Sequence, residues 1–288
     1  MTCEAPLIPM ISSIAELGGS RRAWLCDIWG VLHNGVTAFP EAIAACRTYR
    51  AEGGCVVLIS NSPRPAPGVV AQLATFGIGH DAFDAVVTSG DVTVDLIAQH
   101  PGEPMFHLGP ERDKSIFHGL DLNLVAETDA SLLVCTGLYA DEIETPDDYA
   151  PMLSRFAARN VPMICGNPDK LVEKGDKLIP CAGALAELYE AMGQTVIYAG
   201  KPHPPLYDLA FRQLARFLGG EPGLDDILAI GDGIHTDIAG AGARGIDAAF
   251  IASAVHVNGD TALTQQALGA LFRETPHKPI AALTRLAW

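Results

Sequence analysis

The chain has 288 residues, with 19 Lys and Arg against 34 Asp and Glu, a formal net charge of −15. Nucleic-acid binders draw much of their affinity from basic side chains that neutralise phosphates, and polybasic membrane-surface proteins need the same cations, so this balance argues against both classes. The 49% hydrophobic content excludes wholesale disorder and supplies a sizeable core, and the length suggests about two domains.

The first strand signal is the apolar run Ala23 to Cys26, which stops at Asp27. Pro40 then opens a helix at its first turn, with Ile43 and Cys46 on the apolar side and Gly53-Gly54 closing it. A second run, Cys55 to Ile59, stops at Ser60. Thr145-Pro146-Asp147-Asp148 reads as an N-cap with Pro at the first helical position, followed by Tyr149, Met152, Leu153, Phe156 and Ala157 at helical spacing. Leu185, Leu188, Tyr189 and Met192 form another stripe, stopped by Gly193. A third run, Thr195 to Tyr198, precedes Gly200-Lys201. Leu206, Leu209, Ala210 and Leu214 form a stripe stopped by Gly219-Gly220, and a fourth run, Ile227 to Ile230, ends at Gly231-Asp232.

Short, near-continuous apolar runs alternating with amphipathic helices predict an α/β doubly wound parallel sheet covered on both faces. A candidate second domain lies at 88–192, between 1–87 and 193–288. The seven cysteines include no Cys-x-x-Cys pair, which predicts scattered reduced thiols in a cytoplasmic protein. No apolar run reaches about 18 residues, so no membrane span is expected. No charged segment followed by an apolar run marks a signal peptide, and the stretch after Arg21-Arg22 is broken at once by Asp27.

In an open parallel sheet, ligands bind beyond the carboxyl ends of the strands. That rule selects Asp27, Ser60, Lys201 and Asp232, each just after an apolar run, and predicts that they converge on one crevice. Taken singly, each has an ordinary reading as a turn, cap or solvated residue. Asp237, five residues past Asp232, adds a second carboxylate to the same loop.

Taken together and in this order, the residues resemble the haloacid dehalogenase superfamily of aspartate-nucleophile phosphotransferases. Asp27-x-x-Gly30-Val31 is similar to its first motif, Ser60 to its second, Lys201 in Gly200-Lys201-Pro202 to its third, and Gly231-Asp232 with Asp237 to its fourth. Ser60-Asn61-Ser62 and Cys165-Gly166-Asn167-Pro168-Asp169 further resemble the class IIA members, which carry a large α/β cap. The resemblance implies a Mg²⁺-dependent phosphohydrolase acting on a small phosphorylated metabolite, of the sugar-phosphate or nucleotide class. It assigns Asp27 as nucleophile, with Asp27, the Trp29 backbone carbonyl, Asp232 and Asp237 as the Mg²⁺ set. Ser60 and the Asn61 N–H would hold phosphoryl oxygens, and Lys201 would offset their charge. Arg64 would contact phosphate or substrate, and Asn167 and Asp169 would be cap contacts. No nucleic acid or membrane partner is implied, and the subfamily allows a homodimer.

One departure matters. The family has a second Asp two residues after the nucleophile, which protonates the leaving oxygen and later activates water. Here that residue is Trp29, whose indole only donates a hydrogen bond and does not titrate. Three readings follow: hydrolysis with a substitute acid, for which His33 is the candidate, or with a good leaving group; a slow phosphotransferase whose aspartyl-phosphate lasts; or a protein that binds a phosphorylated ligand with little or no turnover. His235, in the fourth-motif loop, reads as a loop residue, because Mg²⁺ prefers oxygen.

Overall fold

The computed structural model describes residues 7–17, 21–174, 177–252 and 263–288. Cys3 lies outside them, and the six described cysteines are free and buried. The strands in chain order are β1 (Ala23–Asp27), β2 (Cys55–Ser60), β3 (Ala85–Thr88), β4 (Pro104–Leu108), β5 (Asn123–Leu124), β6 (Leu132–Cys135) and β7 (Met163–Cys165). They continue with β8 (Leu171–Lys174), β9 (Lys177–Pro180), β10 (Val196–Tyr198), β11 (Ile227–Gly231), β12 (Asp247–Ile251) and β13 (Ala281–Leu283). The helices are α1 (Pro40–Ala51), α2 (Ala66–Thr75), α3 (Ser89–Ile97), α4 (Ala150–Ala157), α5 (Ala182–Ala191), α6 (Pro204–Leu218), α7 (Ala239–Ala243) and α8 (Gln265–Leu271).

Two compact units emerge. The first comprises Met1–Ile59, Gln72–Val86 and Tyr207–Trp288; the second comprises Ser60–Ala71 and Val87–Leu206. A six-stranded sheet, in the order β13-β12-β11-β1-β2-β3, underlies the first, and its neighbours from β13 to β2 pair in parallel. Every residue of β1, β2 and β11 is buried, which explains why these strands read as continuous apolar runs rather than alternating ones. Chain order reverses at β1, which has β2 on one side and β11 on the other. That reversal is the switch point at which a parallel sheet opens a crevice.

The second unit holds its own parallel sheet, in the order β10-β7-β6-β4-β5, and the antiparallel hairpin β8-β9. Core clusters line it, one formed by Leu133, Leu153, Phe156, Leu185 and Tyr189, another by Ile97, Met105, Ile116 and Val134. The buried Tyr189 hydroxyl donates to the Val161 carbonyl at 2.6 Å, so its polar tip is satisfied. Ahead of α4, the Thr145 N–H and hydroxyl both donate to the Asp148 carboxylate, at 2.8 and 2.9 Å. Pro40 stands at the first turn of α1, and the chain leaves that helix through Gly53 at φ +92°.

One expected boundary moves. The run Thr195 to Tyr198 supplies β10, but β10 pairs with β7, Val196 opposite Met163 and Tyr198 opposite Cys165. It therefore extends the five-stranded sheet, and the second unit continues to Leu206 instead of ending near residue 192. A three-residue apolar run fits the edge of either parallel sheet, and its sequence carries no sign of which one it joins. Among the described residues, no helix is long and apolar enough to cross a membrane.

Candidate active site

In the first unit, β1 and β11 lie side by side and end in carboxylates. Asp27 is the last residue of β1, and Asp232 follows Gly231 at the end of β11. A π-helical turn, Ile234–Ile238, then brings Asp237 back toward the strand end. Single π turns are rare and are frequently found at functional sites. Ligand oxygens of Asp27, Asp232 and Asp237 all lie within 4.8 Å of one another, with Asp27 and Asp237 buried. Three carboxylates this close repel one another strongly unless a cation sits among them. An all-oxygen set of this kind suits Mg²⁺, which takes hard ligands and keeps several waters.

Glycines make the convergence sterically allowed. Gly30 has φ +89°, and a Cβ there would stand 2.2 Å from an Asp232 Oδ. A Cβ at Gly231 would stand 2.2 Å from Asp237 Cγ. The Gly233 N–H donates to Asp237 Oδ2 at 3.0 Å, which fixes one carboxylate oxygen. Tyr207 of α6 packs on Gly240, and its hydroxyl donates to the Asp237 carbonyl at 3.5 Å, bracing the turn from behind. These close approaches are features the sequence reading did not single out. The Gly-Asp-Gly punctuation of residues 231–233 was their visible trace.

Trp29 and His33 belong to one tight turn. The Gly30 N–H donates to the His33 carbonyl at 2.8 Å, and the Trp29 ring lies edge-on to the His33 ring at 5.1 Å. The indole leans on Gly35, where a Cβ would meet it at 2.4 Å. His33 is 2% exposed and stacks on Phe76 at 4.6 Å, and its Nδ1 accepts from the Gly35 N–H at 2.9 Å. Burial pushes its pKa down to about 4, so the imidazole is neutral at pH 7. That state weighs against His33 as a protonated acid.

In the second unit, Asn61 is the organising side chain. Its Nδ2 donates to Asp169 Oδ1 at 2.9 Å and to the Lys201 carbonyl at 3.2 Å, while its Oδ1 accepts from the Lys201 N–H at 2.7 Å. The structure thus gathers Asn61, Asp169 and the buried Lys201 into one network. Gly200 permits it, because a Cβ there would stand 2.3 Å from Asn61 Oδ1. Ser60, at the end of β2, is buried, and its Oγ accepts from the Ser62 N–H at 3.1 Å. Asn167 is buried, and its Oδ1 accepts from the Asp169 N–H at 3.1 Å, an Asx turn that orients Asp169. Arg64 lies near enough to Asp113 to act on it electrostatically, and its backbone packs against Gly90 of α3. His203 stacks on Tyr198 at 4.5 Å.

A parallel α/β sheet with three carboxylates gathered at its switch point defines a metal-assisted hydrolase or transferase centre as a class. Profiles of the haloacid dehalogenase-like hydrolases match residues 24–123 and 198–272. A crystal structure of a haloacid dehalogenase-like hydrolase from Brucella suis is 45% identical, with a TM-score of 0.86, covering 96% of this chain and 100% of that one. The ribonucleotide monophosphatase NagD of Escherichia coli is 26% identical over 238 residues, 80% of this chain and 87% of its own. A glycerol phosphate phosphatase from Mycobacterium tuberculosis, solved in complex with magnesium, shares the fold at 24% identity and a TM-score of 0.66, covering 94% of this chain and 77% of its own. The chain belongs to the haloacid dehalogenase-like hydrolases, in class IIA.

Proposed function

We propose that the protein is a Mg²⁺-dependent phosphohydrolase acting on a small phosphorylated metabolite, with Asp27 as nucleophile. The observation that carries this reading is the gathering of Asp27, Asp232 and Asp237 at the carboxyl ends of β1 and β11. An Asp27 oxygen attacks phosphorus, the bond from phosphorus to the leaving oxygen breaks, and an aspartyl-phosphate results. Water then attacks that phosphorus and regenerates the carboxylate. Splitting the displacement in this way lowers the barrier of each half. Mg²⁺, held by Asp27, Asp232, Asp237 and the Trp29 carbonyl, would supply charge neutralisation. Ser60 and the Asn61 N–H would hold phosphoryl oxygens, and Lys201 would offset the remaining negative charge. Asn167, Asp169 and Arg64 are the proposed substrate contacts. The name of one relative, a ribonucleotide monophosphatase, supports a small phosphate ester of the nucleotide class within the sugar-phosphate or nucleotide range proposed.

A second reading is favoured by Trp29 and the neutral His33: a site that binds a phosphorylated ligand and turns it over slowly. Positioned acid–base groups contribute about 10² to 10⁴ in rate, so their absence weakens catalysis without removing the nucleophile or metal set. The deciding experiment compares Mg²⁺-dependent hydrolysis of p-nitrophenyl phosphate with that of alkyl and sugar phosphates, using Asp27→Asn as the blank. Nitrophenolate leaves without a proton, whereas an alkoxide needs one. Turnover of the aryl ester alone means that leaving-group protonation is missing. Turnover of both means that another group supplies the proton. No rate above the blank with any ester, acyl phosphates included, removes the hydrolase reading.

A further inference from the structure

Two neighbouring strands of the second sheet send their carboxyl-end loops to one buried amide. β7 and β10 pair in parallel, with Tyr198 opposite Cys165, and the Ala199 N–H donates to the Cys165 carbonyl at 3.1 Å. The loop after β7 carries Asp169, and the loop after β10 carries Lys201. Asp169 is held at both of its main-chain polar groups. Its N–H donates to Asn167 Oδ1 at 3.1 Å, and its carbonyl accepts from the Gly183 N–H at 3.1 Å. Gly183, in the first turn of α5, makes that approach possible, because a Cβ there would stand 2.2 Å from the Pro168 carbonyl oxygen and 2.6 Å from that of Asp169.

Asn61 joins the two loops, and the chemistry of its partners fixes which way its amide faces. A main-chain N–H only donates, and a main-chain carbonyl only accepts. Lys201 presents both, so Oδ1 must face its N–H, at 2.7 Å, and Nδ2 its carbonyl, at 3.2 Å. The second Nδ2 hydrogen is then aimed at Asp169 Oδ1, at 2.9 Å. Asn61 and Lys201 are 3% and 2% exposed, so little water competes for these bonds. A lysine ammonium sits on a flexible four-carbon stem, and it reaches one fixed point only if its main chain is fixed. We propose that the Asn61 side chain is a positioning residue: by clamping both polar groups of the Lys201 main chain, with Asp169 as anchor, it locks the Asn61 N–H and the Lys201 ammonium into one phosphate-binding unit, a role that rests on the part proposed above for these two donors in holding phosphate. Asp169 thereby gains a role that does not depend on the leaving group.

The test is calorimetric titration of the full chain with inorganic phosphate in Mg²⁺ buffer, which needs no turnover and offers no leaving group. Thermal melting confirms that each variant is folded. Lys201→Met should weaken phosphate binding about tenfold or more, as loss of a charge-assisted contact implies. Asn61→Ala keeps its own N–H and the Lys201 ammonium, and it should still weaken binding about tenfold. In the Lys201→Met background the same substitution should cost much less, because its effect runs through Lys201. A residue that only stabilised the fold would weaken binding equally in both backgrounds. Asp169→Ala should also weaken binding, and Asp169→Asn, which keeps an acceptor for Nδ2, should recover part of the loss; this pair serves as the test if Asn61→Ala does not fold. Equal losses from Asn61→Ala in both backgrounds, wild-type affinity in a folded Asn61→Ala or Asp169→Ala protein, or no recovery in Asp169→Asn overturns the proposal. Absence of phosphate binding, or binding unchanged in Lys201→Met, overturns the phosphate-holding reading itself and the positioning role with it.

Discussion

Gly30→Ala is the sharpest probe of the proposed metal centre, because the substitution adds one methyl group and no chemistry. Gly30 sits at φ +89°, where an L side chain is strained, and the left-handed region costs a non-glycine residue about 1–2 kcal/mol. The new Cβ would stand 2.2 Å from an Asp232 Oδ, whereas real Cβ contacts essentially never fall under 3.0 Å. The carboxylate, or the turn that carries Gly30, must therefore move by about 0.8 Å. Mg²⁺ demands near-ideal octahedral geometry at about 2.0–2.1 Å, so a shift of this size would disrupt the coordination proposed for Asp232. Misplacement of a reacting group by about 1 Å can cost about 10² in rate. Gly30→Ala should therefore lower Mg²⁺ affinity by at least about tenfold, or about 1.4 kcal/mol, in calorimetric titration. It should also lower unfolding stability by about 1–2 kcal/mol in urea without metal. An unchanged Mg²⁺ affinity in a folded Gly30→Ala protein would refute the reasoning that Gly30 and Asp232 share one crowded site.

Three further outcomes are expected. Gly200→Ala should break the pairing of Asn61 with the Lys201 backbone, since its Cβ would stand 2.3 Å from Asn61 Oδ1; the loss of a buried hydrogen bond predicts about 1–3 kcal/mol of destabilisation, measured by urea unfolding. Trp29→Asp should raise alkyl phosphate turnover by up to about 10² to 10⁴ while changing p-nitrophenyl phosphate turnover little, and equal effects on both esters would show that the new carboxylate is not acting on the leaving group. Between pH 6.5 and 4 the unfolded chain protonates His33 while the folded chain keeps it neutral, so its contribution is fully present above pH 6.5 and is lost as pH falls through that window. The shift amounts to at most about 3 kcal/mol, and His33→Asn, which keeps an acceptor for Gly35, should flatten the pH dependence of stability in urea titrations.

The positions of the candidate residues were legible because each ends or follows a buried run. Asp27, Ser60 and Asp232 stand at or just beyond the carboxyl ends of β1, β2 and β11, as the alternation of apolar runs and helices predicts. Lys201 was found by the same signal, yet its strand pairs in the other sheet, because a three-residue run reports burial and not its neighbour. The role of the Asn61 side chain was not legible. Its partners Asp169 and Lys201 lie 108 and 140 residues away, and no local pattern encodes a bond of that span.

The linear sequence by itself determined the strand-and-helix alternation, the acidic balance, the order of the motif residues and the loss of a titratable group at Trp29. All of these are composition, spacing or side-chain identity, and folding does not alter them. Only the tertiary structure decided that Asp27, Asp232 and Asp237 share one centre, that His33 is buried against Phe76 and neutral, and that β10 extends the second sheet. Those outcomes depend on which distant surfaces pack together, and burial and charge proximity exist only once they do.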